Sequence, residues 1–193
     1  MDTTQENEQV EKERWFSFKG AYILSTLGIQ GGDTVIDFGC GYGSYTLPAR
    51  QVTGDDGWVI AIDRESEKLE ATRQLAEEWG LDGRLETKEA TEKNAFADID
   101  EDTIDAVLVF DVLQHVDDWE LLFENIQRVL KPEGRLLLNP SKLSHPGKVD
   151  LEKLENILNK LQFRIYMRRT YRLMHYKHFT EDEIILASVS SAK

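Results

Sequence analysis

The chain has 193 residues, with 23 Lys and Arg against 36 Asp and Glu, and a net charge of −13 at pH 7. That length bounds it to one domain, and the acidity argues against general affinity for nucleic acid, whose phosphates need a basic face. The lone cysteine, Cys40, excludes an internal disulfide and a cysteine-based zinc cluster. No apolar run is long enough for a membrane span and the polar, acidic start does not read as a secretory signal, so the cytoplasm is the expected compartment.

Residues 1–13 are polar and mostly acidic, with Lys12 their only basic side chain. They read as a flexible acidic arm ahead of a single domain over 14–193. Trp15, Phe18 and Tyr22 then fall at helical spacing up to about Leu27, and Gly28 is a plausible stop. The aromatic stripe reads as packing on the sheet edge in preference to a lid over a site.

The turn Gly31-Gly32-Asp33 leads into the most informative stretch, Thr34-Val-Ile-Asp-Phe-Gly-Cys-Gly-Tyr-Gly-Ser44. A β-branched run ends at Asp37, Gly39, Gly41 and Gly43 follow at every second position, and a helical segment opens at Ser44. This is strand, tight turn, helix, the arrangement of a nucleotide-binding turn in a doubly wound α/β sheet. The dinucleotide fingerprint places glycines first, third and sixth, but the sixth position counted from Gly39 is Ser44. Asp37 beside the turn would repel a pyrophosphate and suit a cationic ligand.

Trp58 to Ile62 reads as the second strand, ending at Asp63. A carboxylate there can accept both hydroxyls of a ribose. Leu69, Thr72, Ala76 and Trp79 give a helix with one buried face, stopped at Gly80, and Leu85 to Thr87 a short third strand. After the acidic loop Asp98 to Asp105, Ala106 to Phe110 is apolar on both faces, as a central parallel strand requires. Asp111-Val-Leu-Gln-His-Val116 follows its C-terminal end, where open α/β sheets bind ligands. Asp117 or Asp118 caps an amphipathic helix through Leu130, Lys131-Pro-Glu-Gly134 closes it, and Arg135 to Asn139 is the fifth strand. A loop spans Asn139 to Gly147 and Asp150 caps the next helix. Phe163, Ile165 and Met167 alternate as a sixth strand, Thr180 to Glu183 reads as a turn, and Ile184 to Val189 is a seventh strand.

The D-x-G-x-G-x-G turn, Asp63 and the stretch strand-x-x-His-Val-helix-Val-Leu-Lys-Pro-Glu-Gly-strand together resemble the class I S-adenosylmethionine-dependent methyltransferases, in their small-molecule, type 11-like branch. The resemblance implies a Rossmann-like, doubly wound, seven-stranded and mostly parallel sheet with an antiparallel C-terminal strand. It implies S-adenosylmethionine as cofactor, with Asp37, Gly39, Cys40, Gly41 and Gly43 around its methionine part. Asp63 and Arg64 would lie at the ribose, Glu89 and Ala90 at the adenine, and Phe110 and Asp111 along the wall after strand four. A small-molecule acceptor follows from the absence of a large insertion between strands, with a homodimer partner as a candidate to complete the pocket.

His115 is the candidate general base, because its ordinary pKa suits neutral pH, although proximity alone can carry methyl transfer. Cys40 reads as a small spacer and no nucleophile. No metal site is expected: His175 and His178, three apart in a strand, would face opposite ways. Arg164, Arg168, Arg169, Arg172 and Lys177 make a basic segment, read as a solvated strand pair balanced by acidic neighbours before an anion site. The place after strand four lacks the Asn-Pro-Pro-Tyr or Asp-Pro-Pro-Tyr box of amino-group methylases. The competing readings are a nicotinamide-dependent oxidoreductase, disfavoured by Ser44 and Asp37, and a non-catalytic cofactor- or partner-binding protein of the same fold.

Overall fold

A computed structural model describes residues 3–140, 149–176 and 178–189. The strands are β1 (Thr34–Phe38), β2 (Trp58–Asp63), β3 (Leu85–Glu89), β4 (Ile104–Phe110), β5 (Leu130–Asn139), β6 (Phe163–His175) and β7 (His178–Val189). They form one sheet in the order β3-β2-β1-β4-β5-β7-β6. β1 to β5 are mutually parallel, and β7 runs antiparallel to both β5 and β6. The helices are α1 (Thr3–Arg14), α2 (Gly20–Thr26), α3 (Thr46–Thr53), α4 (Ser66–Glu78), α5 (Trp119–Val129) and α6 (Leu151–Lys160). The doubly wound, mostly parallel sheet expected from the sequence is the one observed.

Side-chain alternation explains the two cores. On β4, Val107 and Val109 point to the face covered by α5 and α6, while Ala106, Leu108 and Phe110 point to the face covered by the N-terminal helices and α3. Strand β1 repeats the split with Ile36 on one side and Val35 on the other. A strand covered on both faces cannot afford polar alternation, so these segments are continuous apolar runs. Asp118 and Asp150 cap α5 and α6 by accepting from Leu121 and Lys153 amides, each at 3.0 Å.

The N-terminal segment departs from the expected pattern. From Thr3 the acidic arm is helical. A π-helical turn, Trp15–Lys19, joins α1 to α2. The inserted residue rotates the later side chains. Trp15, Phe16, Ile23, Leu24 and Leu27 are buried, whereas Phe18 and Tyr22 are exposed. Phe18 and Tyr22 are therefore not the packing stripe. Gly20 lets this helix approach α3, since a Cβ there would lie 2.6 Å from the Pro48 ring and 3.0 Å from Trp15. Trp79 sits at the end of α4, half-exposed against Phe16, and is no part of the helix's buried face.

The C-terminal strands are also longer than expected. Thr180 to Glu183 is part of β7, not a turn, because the hairpin closes earlier, where His175 and His178 form a cross-strand pair. They therefore stand opposite each other at the hairpin end, correcting the opposite-face reading. Acidic partners meet two arginines of the basic segment. Arg168 pairs with Glu155 at 2.6 Å and Glu183 at 3.0 Å, and Arg172 holds both oxygens of Glu11 at 2.7 and 2.8 Å. Lys177 and residues 141–148 of the loop after β5 lie outside the described residues.

Candidate functional site

A cavity of about 420 Å³ opens at the C-terminal ends of β1, β2 and β4. That is the size of a small-ligand pocket. Its lining brings together Asp37, Gly39, Cys40 and Gly41 of the glycine turn, Asp63, Arg64, Ala90, Phe110, Asp111 and His115, whereas Gly43 stands outside it against Thr72 and Leu47. Glu89 is not among them. It is exposed on β3, paired in register with Asp63, and the acidic side chain that does reach the cavity is Glu92, buried to 7% exposure.

The glycine turn is built by close approach. Gly39 has φ 76°, and a Cβ on it would lie 2.3 Å from the Val112 side chain. Its amide and that of Cys40 donate to the Ile62 carbonyl at 2.8 and 3.0 Å, stitching the turn to the end of β2. The Gly41 amide donates to Asp63 Oδ2 at 2.9 Å and the Gly43 amide to the Cys40 carbonyl at 3.0 Å. These amides are spent inside the protein, which is a poor cradle for a phosphate that needs them free. The turn instead presents a close-fitting backbone wall beside two carboxylates.

Those carboxylates differ. Asp37 is 2% exposed and accepts from the Thr46 hydroxyl at 2.6 Å. Burial outweighs that bond, and with Asp63 nearby its pKa rises to about 7. A buried carboxyl without a cation partner, facing a cavity, fits the ammonium of an amino-acid ligand. Asp63 is fixed at both oxygens, by the Gly41 amide and by the Glu65 amide at 3.0 Å. Each oxygen retains a lone pair, so the carboxylate remains able to take two hydroxyl donors. Cys40 is buried, and burial together with Asp37 and Asp63 pushes its thiol well above the usual range. It is an uncharged spacer at neutral pH.

The opposite side of the cavity has Tyr42, Tyr45, Asp111, Val112, Met174 and Tyr176. Tyr45 packs edge-on against Phe110 at 4.4 Å and against Trp15 at 5.5 Å, and the Trp15 indole N–H donates to the Ser44 carbonyl at 2.7 Å. The N-terminal helix thus braces one wall of the site. Tyr42 and Tyr176 meet with ring centroids 5.1 Å apart. His115 ends a short 3₁₀ turn, Leu113–His115, and is exposed at the rim. Sequence reasoning missed Met174, Tyr176 and Glu92. Nothing local marks the first two, since they reach the site only through the fold of the β6–β7 hairpin.

A family model described as a methyltransferase domain matches residues 29–177. The ubiquinone/menaquinone biosynthesis C-methyltransferase UbiE of Haemophilus ducreyi is 30% identical over 118 residues, 61% of this chain and 44% of that protein. A probable cobalt-precorrin-6B C(15)-methyltransferase of Saccharolobus solfataricus is 44% identical over 61 residues, 32% of this chain and 31% of that protein. The chain thus spans less than half the length of either relative. Among solved structures, a methyltransferase from Aquifex aeolicus superposes with a TM-score of 0.73 at 20% identity, covering 97% of this chain and 98% of the other. Geranyl diphosphate C-methyltransferase of Streptomyces coelicolor, solved with Mg²⁺, geranyl diphosphate and S-adenosyl-L-homocysteine, gives a TM-score of 0.71 at 17% identity, covering 92% and 82%. These last two share the fold.

Proposed function

The chain belongs to the class I S-adenosylmethionine-dependent methyltransferase family, and from that premise we propose that it transfers a methyl group to a small-molecule acceptor. The carrying observation is the union of the spent-amide glycine turn, buried Asp37 and doubly anchored Asp63 in one cavity. Asp37 would hold the cofactor's ammonium, Asp63 its ribose hydroxyls with Arg64 beside them, and Ala90 and Glu92 the adenine. Gly39, Cys40 and Gly41 would give the methionine part its close backbone wall, with Gly43 shaping the turn behind them and Phe110 beyond it. Bound there, the cofactor supplies an electrophilic methyl on a sulfonium.

The protein's own task is then orientation and exclusion of water. The aromatic and apolar wall of Tyr42, Tyr45, Met174 and Tyr176 suits a small ring or chain, and the acidic surface disfavours nucleic acid. His115 at the rim is the proton acceptor of this reading where the acceptor carries a proton to lose. The test is to incubate the protein with S-adenosylmethionine labelled in its methyl group and a cell extract, then separate products by size. Label in low-mass products separated from the cofactor itself, reduced in His115→Ala, is expected. Label confined to precipitated protein or RNA would overturn the small-molecule reading, and an unchanged His115→Ala the role of His115.

A further inference from the structure

The β6–β7 hairpin carries a polar cluster against the wall of the cavity that the sequence did not reveal. His175 Nδ1 lies 2.8 and 2.7 Å from the two oxygens of Asp111. Its Nε2 faces the neighbouring strand, 3.9 Å from Asp182 Oδ2. Asp111 itself follows β4 with a left-handed backbone, φ 54°, a conformation aspartate adopts more readily than most residues with a side chain. The atoms behind it are buried and unpartnered: His175 Nε2, Asp182 Oδ2, Thr180 Oγ1 and the Tyr45 hydroxyl.

A carboxylate is an acceptor only, and in apolar surroundings it needs donors. Here Phe110, Val112 and Met174 provide none with their side chains, the Tyr45 hydroxyl makes no hydrogen bond to it, His175 supplies one from behind, and the Asp111 side chain keeps 24% of its surface exposed. The cavity side of Asp111 is left for a donor on the ligand. Given the methyltransferase reading, on which this rests, we infer that Asp111 accepts a hydrogen bond from an N–H or O–H of the methyl acceptor, and that His175 is a positioning residue fixing that carboxylate. The acceptor is then an amine or a hydroxyl compound, and an anion is disfavoured.

The charges around the pair agree. Burial opposes a charge on His175, but the bond and charge of Asp111, with Asp182 behind, outweigh it and raise the imidazole above its usual range. Tyr45 faces the same carboxylates, and burial with their charge pushes its hydroxyl well up, so it stays neutral. The geometry places the Nδ1–H of His175 as donor to Asp111.

The test needs no known acceptor. The protein saturated with S-adenosyl-L-homocysteine is titrated calorimetrically with phenol, 2-phenylethylamine and benzoate. The two donor-bearing probes are expected to bind and benzoate is not. His175→Leu is expected to weaken donor binding at least tenfold. His175→Asn, whose amide can stand near the place of Nδ1, is expected to regain most of it, which loss of packing alone would not produce. Retained binding of S-adenosyl-L-homocysteine shows that each variant has folded. A preference for benzoate, no binding by either donor probe, or equal affinities across the variants overturns the inference. Failure of the unaltered protein to bind S-adenosyl-L-homocysteine overturns the methyltransferase reading itself.

Discussion

The two sides of the cavity are built by opposite strategies. The β1–β2 side takes its groups from the ends of adjacent parallel strands, Asp37 from β1 and Asp63 from β2, where Asp37 pairs with Ala61, two residues before Asp63. The glycine turn is fixed by its own amides, bonded to the end of the adjacent strand at Ile62 and Asp63 and within the turn to Cys40. The hairpin side joins Asp111 to His175, 64 residues away, and Tyr42 to Tyr176 by ring contact. A ligand shared by a whole family can be read by local backbone geometry, whereas an acceptor particular to one enzyme is read by side chains that long-range folding assembles.

The comparison predicts that the β1–β2 side governs cofactor affinity. Asp63→Ala removes a charged acceptor and leaves the Gly41 and Glu65 amides without their partner. At roughly 3 kcal/mol for lost bonds to a charged group, cofactor affinity should fall about a hundredfold. Calorimetry on that variant checks it, and a loss below about threefold would break the assignment. Gly39→Ala should follow. Its left-handed φ and the clash with Val112 should cost about 2–3 kcal/mol, and the melting temperature should drop by roughly 5–10 °C.

Asp37 predicts a pH effect whose sign is set by its raised pKa. The unfolded chain loses this proton near 3.8, and the folded chain holds it to about 7. Between those values the folded state binds more protons, so the Asp37 contribution to stability falls as pH rises through that window and is level above it. A bound ammonium demands the ionised form. Cofactor affinity should therefore rise by up to about tenfold per pH unit as pH approaches 7, then flatten. Titrations in buffers of different ionisation enthalpy should show proton release near pH 6, and equal heats in every buffer would contradict the role. The smallest effect belongs to the exposed Glu11–Arg172 pair tying α1 to β6. Glu11→Gln should cost well under 1 kcal/mol in a denaturation series, less still at high salt.

The same contrast explains what the sequence revealed. The glycine turn, Asp63, the two-faced apolar β4 and the caps at Asp118 and Asp150 all depend on residues close in the chain, so pattern and spacing identify them. The reach of β6 was not legible, because the alternation breaks at Arg168-Arg169-Thr170 and again at Leu173-Met174. That His175 would bond Asp111 was not legible, since it depends on where the hairpin closes and on a strand order that places β7 beside β5. Phe18 and Tyr22 misled because regular helical spacing fails across a π turn. Glu89 misled because it ends β3 exposed, and only the path of the loop after it brings Glu92 to the cavity.

The most direct test of the central claim is calorimetric titration of the purified protein with S-adenosylmethionine, S-adenosyl-L-homocysteine and NAD in parallel. A turn whose Gly39, Cys40, Gly41 and Gly43 amides are spent within the protein, set beside Asp37 and Asp63, should bind the first two at micromolar affinity and leave NAD silent. Binding of NAD, or silence toward both adenosyl sulfur compounds, would contradict it.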